Sequence, residues 1–170
     1  MGDGAGEAGP PDLHITLLDE QDLAVDAARL TGVARSAAVA EGAVGEISLL
    51  LVDADRMAEL HVEHMGEPGP TDVLSFPVDG LVTEPPGPGA PPVLVGEVVV
   101  CPAVARAQAQ GSPTGLPDVS EAEALAAELD LLVVHGVLHL LGHDHDTDEA
   151  AARMREREQQ HAGRSGAQAG

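Results

Sequence analysis

The sequence predicts an α+β fold, in which a small mixed β-sheet of about four strands is packed with about five helices. Short runs of branched apolar residues alternate with segments whose apolar residues recur at helical spacing. The alternation is imperfect, because two strand-like runs follow each other near the middle of the chain. We expect a single domain over residues 13–161, which is long enough to bury a hydrophobic core without disulfides.

The first half of the sequence contains two strand-like and two helix-like segments. The apolar run 14–18 predicts the first strand, and the Ala-rich segment 21–41 predicts a helix. The run 46–52 (EISLLLV) is dense in branched apolar residues, which predicts a second strand buried on both faces. Asp53 is the predicted N-cap of a helix over 54–65.

The next part of the sequence contains two strand-like runs separated by a proline-rich loop. Residues 72–78 predict a third strand, and Pro77 indicates that this strand ends there or lies at a sheet edge. The five prolines of segment 80–92 predict an exposed, flexible loop. Residues 93–100 predict the fourth strand, and 102–110 a short helix.

Two more helices are predicted in the last third of the chain. Ser120 and Glu123 form the pattern of a capping box at the start of a long helix that reaches Leu141. Gly142 is the residue expected to end it. The segment 148–161 predicts the last helix.

Composition restricts where the chain is expected to act. Residues 1–12 and 162–170 are predicted to be disordered tails, and the first of them lacks the basic and apolar regions of a signal peptide. Cys101 is the only cysteine, so no intrachain disulfide argues for secretion. No apolar stretch is long enough to span a membrane. A cytoplasmic location is therefore expected by elimination.

The formal net charge of −21 argues against a nucleic-acid substrate. Affinity for RNA comes largely from cations that neutralise phosphates. The basic residues are all Arg, and their one cluster, in segment 153–157, is crowded by glutamates, which is typical of a solvated, salt-bridged helix face. We therefore expect weak intrinsic affinity for nucleic acid.

Segment 135–145 (HGVLHLLGHDH) has a metal-binding pattern. His135 and His139 are four residues apart, which places both imidazoles on one face of a helix, within reach of one ion at a Zn–N distance of about 2.0–2.1 Å. Gly142 allows the chain to turn back, so that His145 can supply a third ligand. Three protein ligands leave one position for water, the arrangement typical of catalytic zinc.

Other interpretations of this segment remain open from sequence alone. One histidine in an apolar helix could be a hydrogen-bonded core residue, although burying several unpaired imidazoles is unfavourable. His143 could compete with His145, Asp144 could orient a ligand or solvate the turn, and imidazoles suit zinc without excluding iron or nickel. The spacing is also that of metzincin proteases, which carry a general-base Glu where this chain has Gly136.

Taken whole, HGVLHLLGHDH resembles the signature of the YbeY family, His-Gly-x-Leu-His-Leu-x-Gly-Tyr-Asp-His, with His143 in place of Tyr. Three other segments are similar to family segments in the same order. They are PTDVLSFP at 70–77, GEV at 96–98 followed by Cys101-Pro102, and ELDLLVVH at 128–135. The resemblance covers roughly residues 46–160.

The resemblance implies a zinc-dependent, single-strand-specific endoribonuclease that acts in 16S rRNA 3′-end maturation and in ribosome quality control. It implies one Zn²⁺ per chain, with His135, His139 and His145 as its ligands. It also implies ribosomal RNA, small-subunit ribosomal proteins and a ribosome-assembly GTPase as partners, and neither DNA nor a membrane.

The chain departs from the family pattern at one position that bears on substrate binding. Many members carry a Tyr-Arg pair, whose Arg is a candidate substrate or catalytic residue, where this chain has His64-Met65; Arg56 could replace that Arg in space. No catalytic acid or base is identifiable, and Asp72, Ser75 and Glu97 are candidates only through their motifs. The alternatives are a non-catalytic assembly factor with a closed, structural zinc site, and a metallohydrolase of another substrate such as a peptidase.

Overall fold

The computed structural model describes residues 13–111 and 120–143, together with Ala152 and Glu156. Its four strands are β1 (Leu13–Glu20), β2 (Gly45–Val52), β3 (Val73–Pro77) and β4 (Leu94–Val100). They form one sheet in the order β1-β2-β4-β3, in which β1, β2 and β4 are parallel and β3 is antiparallel to β4. This confirms the predicted mixed sheet of about four strands, and β3, which ends at Pro77, lies at one edge.

The described residues contain four helices, which confirms the α+β class. They are α1 (Ala27–Ala40), α2 (Ala54–Met65), α3 (Pro102–Gly111) and α4 (Glu121–Leu140). The sequence predicts about five helices; of the fifth, over 148–161, only Ala152 and Glu156 are described, and the predicted tails lie outside the described residues. None of the helices in the described ranges is both long and apolar enough to cross a membrane.

Helices cover both faces of the sheet, which explains why the second half of β2, residues 49–52, is continuously apolar. Ile47, Leu49 and Leu51 pack into the larger core with α1 and α4. Leu50 and Val52 belong to a smaller cluster with α2. Since successive strand residues point to opposite faces, α1 and α4 lie on one face of the sheet and α2 lies on the other.

The first helix begins later than the sequence predicts. The side chain of Gln21 donates to the carbonyl of Leu23 at 2.8 Å and accepts from its N–H at 3.0 Å, which forms a turn instead of a helix. Asp26 then caps α1, because its carboxylate accepts from the N–H of Arg29 at 3.0 Å. The predicted start at residue 21 is therefore wrong.

An ion pair joins α1 to α4. The side chain of Asp130 is only 5% exposed and accepts hydrogen bonds from Nε and Nη2 of Arg29, the shorter of them 2.6 Å long. These bonds raise the pKa of the Arg29 guanidinium, and its partial burial opposes them. The pair fixes the position of α4 against the core.

Candidate metal centre

Two predicted metal ligands occupy the accessible side of an otherwise buried helix. Over residues 132–140 of α4, every position is buried except His135 and His139, which are partly exposed. Their ring centres are 4.8 Å apart and the ring planes meet at 71°. The structure therefore brings these two imidazoles together at the part of this segment that solvent can reach.

The separation of the two rings fits a shared metal ion. Two imidazoles bound to one tetrahedral ion at a Zn–N distance of about 2.0–2.1 Å would have their ring centres about 5 Å apart. The 4.8 Å between His135 and His139 agrees with that geometry. Imidazole nitrogen is a common ligand of zinc and of several other divalent metals. The two side chains could therefore hold a divalent cation with little rearrangement.

The end of α4 has the geometry that the sequence predicts from Gly142. This glycine adopts a left-handed conformation, with φ of +99°. Its N–H donates to the carbonyl of His139 at 3.1 Å, and the N–H of His143 donates to the carbonyl of Leu138 at 3.0 Å. This pair of bonds is a Schellman motif, which ends the helix and reverses the chain direction.

The third predicted ligand cannot be placed in the same way. His145 and the neighbouring Asp144 lie outside the described residues. Among the described residues alone, no group of three or more His, Cys, Asp and Glu side chains could hold a metal ion. A third ligand from His145, three residues after Gly142, therefore stays a prediction.

His143, the competing histidine, is paired with a carboxylate. Its Nε2 lies 2.9 Å from Oε1 of Glu41, the residue that follows α1. The side chain of Glu41 is 8% exposed, so this contact holds the turn after α4 against the end of α1. The contact uses Nε2 alone, and a metal-bound histidine commonly makes such a contact with its other ring nitrogen, so His145 rather than His143 as the third ligand stays a prediction.

Gly136 is the point of closest contact between α4 and the sheet. A Cβ atom added there would collide with Cγ1 of Val98 on β4 and would lie 3.3 Å from Oγ of Ser75. Ser75 in turn donates a hydrogen bond to the carbonyl of Gly136, at 3.1 Å. A side chain at position 136 would therefore point into the sheet, and the general-base Glu of a metzincin has no room here.

The three candidate acid–base residues lie in different places. The hydroxyl of Ser75 donates to a carbonyl of α4, that of Gly136, the residue that follows His135. Val98 also faces α4, so the preceding Glu97 points to the opposite face of the sheet. Asp72, just before β3, accepts from the N–H of Cys101 through its carbonyl. Of the three, Ser75 is the one with a hydrogen bond to the helix that carries the two histidines.

Glu128 is a titratable residue on the same helix that the sequence analysis did not consider. It is half-buried on α4, seven residues before His135, and two helical turns place both residues on one side. Burial, assisted by the charge of Asp72, raises the pKa of its carboxyl group. The seven-residue spacing from His135 was the signal that could have identified it.

The sequence profile of one family, described as Endoribonuclease YbeY, matches residues 14–166, which include all three predicted ligands. This chain belongs to the YbeY family. The Endoribonuclease YbeY of Thermobifida fusca is 44% identical over 135 residues, covering 78% of this chain and 81% of its own. That of Salinispora tropica is 44% identical over 149 residues, covering 84% and 89%.

A solved structure supports the same fold. The solution structure of TM1509 from Thermotoga maritima superposes with a TM-score of 0.57 over 90% of this chain and 88% of the other, at 23% identity. At this identity the likeness concerns the fold alone. The mixed sheet and the helices packed on it therefore have a counterpart among experimental structures.

At the position of the YbeY family's Tyr-Arg pair, this chain has Met65 instead of the Arg. Met65 is the last residue of α2 and is exposed. Arg56 lies nine residues earlier, about 13 Å away along the helix axis, and its guanidinium pairs with Glu59 at 3.0 Å. Arg56 therefore does not replace the missing Arg in space. The arginines of segment 153–157 lie outside the described residues.

Proposed function

We propose that this chain is a zinc-dependent endoribonuclease, specific for single strands, with His135, His139 and His145 as its metal ligands. The single observation that carries the proposal is the accessible His135–His139 pair on a buried helix of a YbeY-family chain. Its relatives are named endoribonucleases. By the resemblance given above, the substrate is the 3′ region of small-subunit ribosomal RNA, in cytoplasmic maturation and quality control.

The chain's own residues prepare the site in three ways. The buried segment 132–140 of α4 fixes the backbone of His135 and His139, so the two imidazoles are presented on one side of a rigid element. Ser75 and Val98 hold α4 against the sheet at Gly136. The left-handed turn at Gly142 ends α4 three residues before His145. A divalent ion held there would polarise a phosphoryl oxygen and lower the pKa of a water molecule.

The charge of the chain shapes how RNA reaches the site. With a net charge of −21, the protein as a whole repels phosphates. A bound Zn²⁺ would add two positive charges at the site alone. We propose that basic partners, by the resemblance the small-subunit ribosomal proteins and a ribosome-assembly GTPase, supply most of the attraction and bring the RNA to the histidines.

Two observations weigh against the alternative functions. A metzincin-type peptidase needs a Glu where Gly136 packs without space for a Cβ atom. A non-catalytic factor with a closed zinc site, in which a fourth protein ligand replaces water, does not agree with the relatives, which are named endoribonucleases. The endoribonuclease therefore remains the function that the site supports best.

RNA cleavage by the purified full chain tests this proposal. We expect zinc-loaded protein to cut a single-stranded RNA and to spare the same sequence in a duplex. His139→Ala should abolish cutting, whereas His14→Ala, a matched exposed histidine on β1, should not. In cells that depend on the variant, His139→Ala should leave unprocessed 3′ ends on small-subunit rRNA. Normal ends together with lost metal would refute the proposal.

A further inference from the structure

The one aromatic residue of the Phe, Tyr and Trp class in this chain lies outside the core. Phe76 is on the edge strand β3 and only borders the smaller hydrophobic cluster, in which every buried residue is non-aromatic. Its ring contacts the imidazole of His64, with the ring centres 4.7 Å apart and the planes at 59°. His64 itself is exposed on the last turn of α2.

The end of α2 around His64 is open to solvent, and the exposed residues there include both Glu63 and Met65. These two side chains point to other sides of the helix than His64 does. The element that can bind a flat, apolar group is therefore the His64 ring itself, packed on Phe76. One side of the His64 ring is supported by Phe76, so the imidazole has a preferred orientation.

This ring pair is connected to the candidate metal centre through neighbouring residues of one strand. Ser75 bonds to α4 at Gly136, directly after His135, and the next residue of β3 is Phe76. Because successive residues of a strand point to opposite faces, the two contacts lie on either side of the sheet edge. A single-stranded nucleic acid that crosses the β3 edge could contact both.

We infer that His64, supported by Phe76, is a stacking platform for one nucleobase of a single-stranded RNA. This inference rests on the proposed ribonuclease function and names a binding residue for the substrate. Bases of single-stranded RNA stack on aromatic side chains, His included, with little dependence on sequence. Stacking needs no phosphate neutralisation, which suits a chain of net charge −21 that has Met65 instead of a cation beside the platform.

A binding comparison among three full-length proteins tests the platform. The probes are a uridine dodecamer that carries one 2-aminopurine and an abasic dodecamer with the same number of phosphates. Binding is measured by rapid mixing, before cleavage. His64→Ala should bind the base-bearing RNA about 5- to 100-fold more weakly than the wild type. His64→Phe should restore both the affinity and the quenching of 2-aminopurine fluorescence. All three should bind the abasic chain equally.

Salt dependence separates stacking from charge. The fold-loss of affinity for the base-bearing RNA in His64→Ala should be the same at low and at moderate salt, because no phosphate contact is removed. A loss that shrinks as salt is added, or that also appears with the abasic chain, would overturn the inference. So would His64→Ala binding like the wild type while its thermal stability falls, since the contact with Phe76 would then be packing only.

The same samples distinguish failure of the platform from failure of the proposed function. If the wild type cuts RNA and His64→Ala cuts with unchanged kcat/KM and affinity, the platform is refuted and the nuclease stands. If the wild type binds with 2-aminopurine quenching but never cuts, the nuclease is refuted and the platform stands.

Discussion

Gly136 on α4 and Val98 on β4 lie so close that no Cβ atom fits between them. Valine is stiff at χ1 and Val98 is fully buried, so its side chain has little freedom to move aside. The contact sets the distance between the sheet and the helix that carries His135 and His139. It therefore links core packing directly to the geometry of the site.

The first prediction concerns this contact. Gly136→Ala should lower the free energy of unfolding by about 1–3 kcal/mol through overpacking, although Ala is the better helix former. Gly32→Ala on α1 is the matched control, because nothing lies within 4 Å of an added Cβ there. The control should gain about 0.5–1 kcal/mol. Denaturant unfolding of both variants measures the difference. Equal stability of the two variants would show that the contact between Gly136 and Val98 is not tightly packed.

The second prediction concerns the ion pair between α1 and α4. Arg29→Ala leaves the carboxylate of Asp130, 95% buried, without its partner. We expect a loss of about 3 kcal/mol at neutral pH, at the lower end for buried pairs because the Arg29 side chain is 30% exposed. The exposed pair of Arg56 and Glu59 provides the control, and Arg56→Ala should change stability by less than about 1 kcal/mol. Similar losses for the two variants would contradict the structural role of Asp130.

The third prediction concerns the pH dependence of Glu128. Burial and Asp72 raise the pKa of this carboxyl, so the folded state holds its proton more tightly than the unfolded state does. Its ionisation therefore reduces stability as pH rises above the ordinary carboxyl pKa of about 4.3. Glu128→Gln should be more stable than the wild type at pH 7, and the gain should disappear below pH 4.

Removing a negative charge from a chain of net charge −21 could itself stabilise the protein. Glu63→Gln, at an exposed position of α2, makes the same charge change and is the control for Glu128→Gln. Thermal unfolding at a series of pH values compares the two. If both variants gain equally at pH 7, burial of Glu128 is not the cause.

Local patterns predict most of the fold. Asp53 and Ser120 cap α2 and α4 as expected, because each side chain accepts from the N–H three residues later. The burial of β2 on both faces and the helix end at Gly142 also follow from local patterns, and both are confirmed. The predicted N-terminus of α1 is wrong because the Gln21 side chain forms a turn that competes with the helix.

Long-range contacts around the site could not be predicted in the same way. His143 and Glu41 are 102 residues apart in the sequence, and Arg29 and Asp130 are 101 apart. No periodic pattern connects such residues; only the packing of α1 against α4 does. The four-residue spacing of His135 and His139 is local, which is why the proximity of these two side chains could be predicted from sequence.

The fourth prediction is the most direct test of the account. Protein purified without exposure to chelators should contain one zinc ion per chain by inductively coupled plasma mass spectrometry. His139→Ala should lose it, because an imidazole ligand is removed. His143→Ala, which removes the partner of Glu41, should keep it. Metal-free wild-type protein, or stoichiometric metal retained in His139→Ala, would contradict the assignment of this centre.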